Sequence, residues 1–192
     1  MEKSMNYGLT REEALSLVRA HLKNENLVNH SLAAEAVLRA MAERLGEDQD
    51  KWGLAGLLHD LDSESQPDLA THTSETVTIL KEKGIDPEII EAIRLHNPSA
   101  WPGEERSTVF QHALAAGETI TGLIIASALV NPAKELAAVK AKSVKKRYKE
   151  KAFARGADRE IIAECEQAGI PLAEFCELSL CAMQAISQEI GL

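Results

Sequence analysis

Apolar residues recur along this chain at three- and four-residue spacing, and no stretch alternates convincingly between apolar and polar. That period builds helices and gives strands nothing to pair on, so an all-α fold is expected. The breaks between periodic stretches carry helix-end chemistry. Thr10 and Glu13 have the spacing of a capping box ahead of a helix ending near Asn26. A second helix is expected from about Asn29 to Leu45, with Gly46 past its end, and Asp48 caps a third that runs through Trp52 to His59. SESQPD (63–68) reads as a loop, and a fourth helix runs from near His72 to Gly84. Asp86-Pro87, an N-cap followed by proline at the first helical position, opens a fifth helix to about His96. NPSAWPGEERS (97–107) is the longest polar, Pro/Gly-rich connection, a rim loop or a plain one. A long apolar helix from about Thr108 to Val130 follows, Asn131-Pro132 opens another, and Gly156-Ala157-Asp158 punctuates a C-terminal part closed by two more helices. No repeat or linker divides the 192 residues, so a single domain with a sizeable core is expected.

Several polar residues interrupt the apolar stripes. His30 shares a helical face with Ala33, Ala34, Val37 and Met41. His59 lies with Trp52, Ala55 and Gly56, His96 with Ile89, Ala92 and Ile93, and Glu118 with Leu114, Ala115, Gly122 and Ile125. His72 is a weaker case, because Glu75 and Thr76 share its face before Ile79. Burying a polar group without a partner costs several kcal/mol, and an unpaired charge costs more. A single such histidine is usually a hydrogen-bonded core residue. Four or five on different helices admit a second solution, convergence on one cation, for which imidazole nitrogen and carboxylate oxygen suit Mn, Fe, Co, Ni or Zn. Periodicity alone leaves both solutions open, since it does not show that the stripes meet.

Composition narrows the field. The net charge of −9 argues against general affinity for nucleic acid or an anionic membrane. ITGLIIASALV (120–130), the most apolar run, is shorter than a bilayer span and reads as a core helix. MEKSMNYG has no apolar segment of the secretory kind, and Cys165, Cys176 and Cys181, odd in number and without CxxC spacing, suit reduced thiols, so a cytoplasmic location is expected. Cys176 and Cys181 read as packing thiols. No P-loop, dinucleotide-binding glycine pattern or nucleophilic triad is present.

The order His30, His59-Asp60, Glu118 resembles the H…HD…D signature of the HD superfamily of metal-dependent phosphohydrolases. His72 and His96 resemble the extra histidines of members that hold two metals. The TGLI run at 121–124 and the stretch SVKKRYKEKAFARG at 143–156 are similar to those of small bacterial HDIG-type proteins. The resemblance implies an HD-domain helical bundle, with a core at about 27–130, a C-terminal helical extension at about 131–192, and a metal site between core helices. It implies one or two divalent ions (Mn, Fe, Co, Ni, Zn or Mg). His30, His59, Asp60 and Glu118 would hold the first, and Asp60 would bridge to a second completed by His72 and His96. Asp60 is then the residue nearest the catalytic step. Two departures stand out. Leu61-Asp62 replaces the Ile-Gly of HDIG, leaving Asp62 either an outer-shell acceptor or a solvated loop residue, and Glu118 replaces the usual aspartate.

The function implied is hydrolysis of a phosphomonoester or phosphodiester, such as a nucleotide, by metal-activated water. Two alternatives stand beside it: a di-iron oxygenase of the HD type, and a non-catalytic sensor binding metal or nucleotide. Lys142, Lys145, Lys146 and Lys149 share one helical face and are candidates for drawing in a phosphorylated substrate, against the plainer reading of a solvated face. Arg94 is expected at the surface, Trp101 over a pocket or simply packed. His112, six positions before Glu118 and so roughly 120° around the helix, is expected to face elsewhere.

Overall fold

A computed structural model describes residues 7–192 of the protein. Residues 1–6, on which part of the leader-sequence reading rests, lie outside the described residues. The described chain is all-α, with nine α-helices and two short 3₁₀ turns: α1 (Arg11–His21), α2 (Glu25–Leu45), α3 (Gln49–Leu58), α4 (Ser74–Glu82), α5 (Pro87–His96), α6 (Val109–Leu129), α7 (Ala141–Lys149), α8 (Arg159–Ala163) and α9 (Leu172–Ala185).

The caps explain most of these boundaries. Thr10 Oγ1 accepts the Glu13 N–H while Glu13 Oε2 accepts the Thr10 N–H, a complete capping box. Asp48 caps α3 and Asp86 caps α5 with Pro87 at its first position. The first boundary differs from expectation. Asn24 accepts the Asn26 N–H and starts α2, while the Glu64 carboxylate accepts the N–H groups of Lys23 and Asn24 from across the fold. The chain therefore leaves the helix at His21, not near Asn26, because a distant residue satisfies the N–H groups of the turn. Asn131-Pro132 also differs: Asn131 Oδ1 accepts the Ala133 N–H in a turn, Lys134 takes a left-handed φ of 53°, and the next full helix waits until Ala141.

The two long helices, α2 and α6, form the centre, with α3 and α9 packed against both and α5 against α6 and α3. Leu38, Met41, Leu57, Ile93, Leu114 and Leu123 are fully buried there. Close approach needs glycine at two points. A Cβ on Gly56 would sit 2.8 Å from the carbonyl of Ala34 in α2, and one on Gly117 would sit 2.5 Å from Leu38 Cδ2. The 21-residue α6 is long and apolar enough to cross a membrane by length and composition, but 67% of its most apolar window is buried within the protein. Its apolarity is accounted for by the core. Of the thiols, Cys165 and Cys176 are buried; Cys181 is exposed, contrary to its reading as a packing residue.

Candidate metal centre

The stripes meet. His30 projects from α2, His59 ends α3, His96 ends α5, Glu118 lies in α6, and His72 sits on the segment before α4. His30 Nε2 and His59 Nε2 are 3.0 Å apart. Asp60 lies among all four imidazoles. Its Oδ2 is 3.6 Å from His30 Nε2, and its Oδ1 is 3.4 Å from His59 Nε2, 3.0 Å from His72 Nε2 and 3.5 Å from His96 Nε2. Two groups of potential ligands result, His30–His59–Asp60 and Asp60–His72–His96, with Asp60 common to both. Glu118 stands at the edge of the first, with Oε2 3.8 Å from His30 Nε2.

Which nitrogen of each ring is bare follows from its other partner. His59 Nδ1 faces the Gly56 carbonyl at 2.8 Å and His96 Nδ1 the Ile93 carbonyl at 2.6 Å. A carbonyl only accepts, so each Nδ1 carries a hydrogen and, in the neutral ring, each Nε2 a lone pair. His30 Nδ1 lies 2.9 Å from Thr121 Oγ1, whose own hydrogen goes to the Glu118 carbonyl at 2.6 Å, so this Nδ1 also donates. Two bare nitrogens thus face each other at 3.0 Å in a site where His59 is fully buried. Burial pushes the His59 imidazolium down to about 3, helped by the neighbouring His30 and His96 although Asp60 opposes it. His59 is therefore a poor place for a proton in that contact, whereas a metal ion would take up both lone pairs at once. Ligands about 2.1 Å from an ion lie ~3.0 Å apart at a right angle and ~3.4 Å apart in a tetrahedron. The separations of 3.0–3.6 Å around Asp60 match that spacing.

Asp62 is no solvated loop residue. It is completely buried. Its Oδ2 accepts the N–H groups of Glu75 and Thr76 at 3.1 Å, so it caps α4 from a distance, while its Oδ1 accepts the Thr73 N–H at 3.2 Å. The same Oδ1 is 2.9 Å from His72 Nδ1, somewhat off the line of a well-formed hydrogen bond. Burial works against a charge on His72, but its contacts with Asp60 and Asp62 prevail and hold it at about 10. A carboxylate behind a ligating imidazole in this way fixes ring orientation and raises basicity. Asp60 is held well below the usual carboxylate range, its burial outweighed by the surrounding imidazoles. Burial pushes Glu118 up, and the Thr119 hydroxyl donates to its Oε1.

The centre opens into a pocket of about 520 Å³. Its floor holds His30, Asp60, His72, His96 and Glu118; its far wall comes from the C-terminal part, through Arg155, Gly156, Ala157, Asp158 and Ile161. Lys142, Lys145, Lys146 and Lys149 do not line it. They lie along α7, where Lys145 and Lys146 approach Glu177 and Glu150 at 3.8 and 3.9 Å. The cation that does line it, Arg155, has no ion-pair partner among the described residues and was missed because four lysines on one face gave the stronger periodic signal.

Two arginines hold that wall. Arg159 donates to the main-chain carbonyls of Arg147, Tyr148, Glu150, Phe153, Ala154 and Ala157, tying the loop before α8 around one guanidinium. Arg106 forks onto Glu164 and donates to the Leu95 carbonyl at 2.7 Å, and His112 Nδ1 meets Glu164 at 2.7 Å. His112 does face away from the metal centre, as expected. Arg94 is mostly covered, paired with Glu91 and Glu104 and stacked 4.7 Å from the Trp101 ring.

Residues 27–128 match the HD domain family model. The match spans more than half of the 192 residues, so the chain belongs to the HD domain family, whose members are generally metal-dependent phosphohydrolases. Comparison with curated proteins and with solved structures returned no match.

Proposed function

We propose that this protein is a metal-dependent phosphohydrolase acting on a small phosphomonoester or phosphodiester, a nucleotide among the candidates. The observation that carries the reading is the set of bare Nε2 atoms of His30, His59 and His96 turned, with His72, toward one carboxylate. His30, His59 and Asp60 would hold one ion, with Glu118 completing its shell, and Asp60, His72 and His96 would hold another. Divalent ions held there would supply Lewis acidity for activating water at neutral pH and neutralising phosphoryl charge.

The chain's own residues supply the rest. Asp60 is common to both groups, its Oδ2 near His30 and its Oδ1 near His59, His72 and His96, and so would fix the two positions relative to each other. Thr121 and the carbonyls of Gly56 and Ile93 hold the rings in the ligating tautomer. Arg155 offers an unpaired guanidinium to an anionic substrate, a better-placed cation than the α7 lysines. A pocket of about 520 Å³ is large enough for a nucleotide-sized ester and too small for a folded macromolecule.

The test is metal-stripped protein reloaded with Mn, Fe, Co, Ni, Zn or Mg and offered a panel of phosphate mono- and diesters. Metal-stimulated release of phosphate or alcohol is expected. Bound metal with no release from any ester would refute hydrolysis. Iron-dependent oxygen consumption would instead identify an oxygenase, and nucleotide binding without turnover a sensor.

A further inference from the structure

His72 differs from the other three histidines of the site. It is neither on a helix nor at the end of one, and the residue after it, Thr73, takes a left-handed φ of 84°. That region is costly for a β-branched residue, about 1–3 kcal/mol, and persists only where the surroundings impose it. Here they do so from two sides. Asp62 takes the Thr73 N–H from below. From above comes the loop that follows α5. The Asn97 carboxamide donates to the carbonyls of Leu69 at 2.7 Å and His72 at 3.0 Å, and the Trp101 indole N–H donates to Thr73 Oγ1 at 2.9 Å. Asn97 immediately follows His96, so one residue ties the backbone of His72 to that of the other histidine in its group. Trp101 is itself held by Arg94 stacked against it.

We propose that Asn97 and Trp101 are positioning residues for His72: they hold the strained His72–Thr73 backbone in the one geometry that turns the imidazole to Asp60, so occupancy of the second ion position depends on the 97–101 loop. The first position lacks this dependence. His30 and His59 stand on or at the end of α2 and α3, and the bonds that fix their rings come from α6 and α3. The inference rests on the two-ion reading of the site. It predicts an asymmetry, one ion held by the helical core and one by a loop-clamped segment.

The experiment is titration of metal-stripped protein with Co²⁺ or Mn²⁺, following stoichiometry and affinity by calorimetry and by metal analysis after dialysis. Wild type is expected to bind two equivalents. Trp101→Phe keeps the aromatic ring and loses the indole N–H; it should hold the first equivalent unchanged and weaken the second about tenfold or more, the usual effect of losing an outer-shell partner. Asn97→Ala should do the same. The decisive arm is Trp101→Phe combined with Thr73→Gly. Glycine adopts a left-handed φ without strain, so it should recover most of the lost second-ion affinity, which a bond of merely local structural value would not allow. Two unperturbed equivalents in both single variants, or no recovery in the double variant, would overturn the proposal. A wild type binding one ion would instead defeat the two-ion reading and the proposal with it, a result distinct from failure of the clamp alone.

Discussion

An imidazole binds a metal through a nitrogen without a hydrogen, so the atom on its far side is as informative as the one facing the site. His72 is the residue where this has a measurable cost. In the metal-free protein its proton is held up to about 10 by Asp60 and Asp62 against the effect of burial. Filling the second position at pH 7 should therefore release about one proton from it. Calorimetry in buffers of different ionisation enthalpy counts that proton, and a count near zero would show His72 neutral beforehand. Arg155→Ala should raise KM about tenfold for an anionic ester with kcat little changed, the pattern of lost uniform binding; an equal fall in kcat would place Arg155 in the transition state instead. The stripe histidines were legible in the sequence because an imidazole among alanines and isoleucines violates a helical period. Asp62 was left open between an outer-shell acceptor and a solvated loop residue; beside His72 its partners are the main-chain N–H groups of Thr73, Glu75 and Thr76, which leave no trace in residue spacing. Arg155 lies in a loop, outside any period.

Among the elements, α8 and the loop before it do most to complete the pocket. The Arg106–Glu164 fork and His112 fasten the turn after α8 to the end of α5. Burial raises the Glu164 carboxyl, but Arg106 and His112 outweigh it and hold it below its ordinary 4.5. A carboxylate with a depressed pKa stabilises the fold above its unfolded value, and the contribution fades as pH falls through the folded value. Glu164→Gln should accordingly cost about 2 kcal/mol at pH 7, toward the low side for a buried pair because the groups are partly exposed. The gap in urea-unfolding free energy from wild type should narrow markedly by pH 3, and an equal gap at both pH values would exclude the charge as its source. Helix ends set by local caps, such as Thr10, Asp48 and Asp86, were legible in advance. Those set by remote groups were not: Glu64 governs where α1 gives way to α2, and Asp62 governs where α4 begins.

At the scale of the whole molecule, the candidate ligands come from α2, the end of α3, α5, α6 and the segment before α4, so an ion held there would stitch together elements distant in sequence. An ion bound to the folded state alone stabilises it by about 2.7 kcal/mol at a hundredfold excess over Kd, a rise in Tm of roughly 5–10 °C for a domain this size. Thermal melts of stripped and reloaded protein should show that difference, and coincident melts at saturating metal would argue that the cluster binds nothing. The all-helical architecture follows from periodicity alone; the pocket's far wall does not, because it depends on how the last third of the chain folds back. That wall hangs on two arginines of opposite character. The hold of Arg106 on Glu164 weakens in acid, since that partner is a carboxylate. Arg159 grips only peptide oxygens, which neither take up protons nor attract counterions. Acid strong enough to protonate Glu164, below the ordinary carboxylate range, should thus loosen the wall from the body of the protein while the loop bearing Arg155 keeps its own shape, a hinged shutter rather than a melting one.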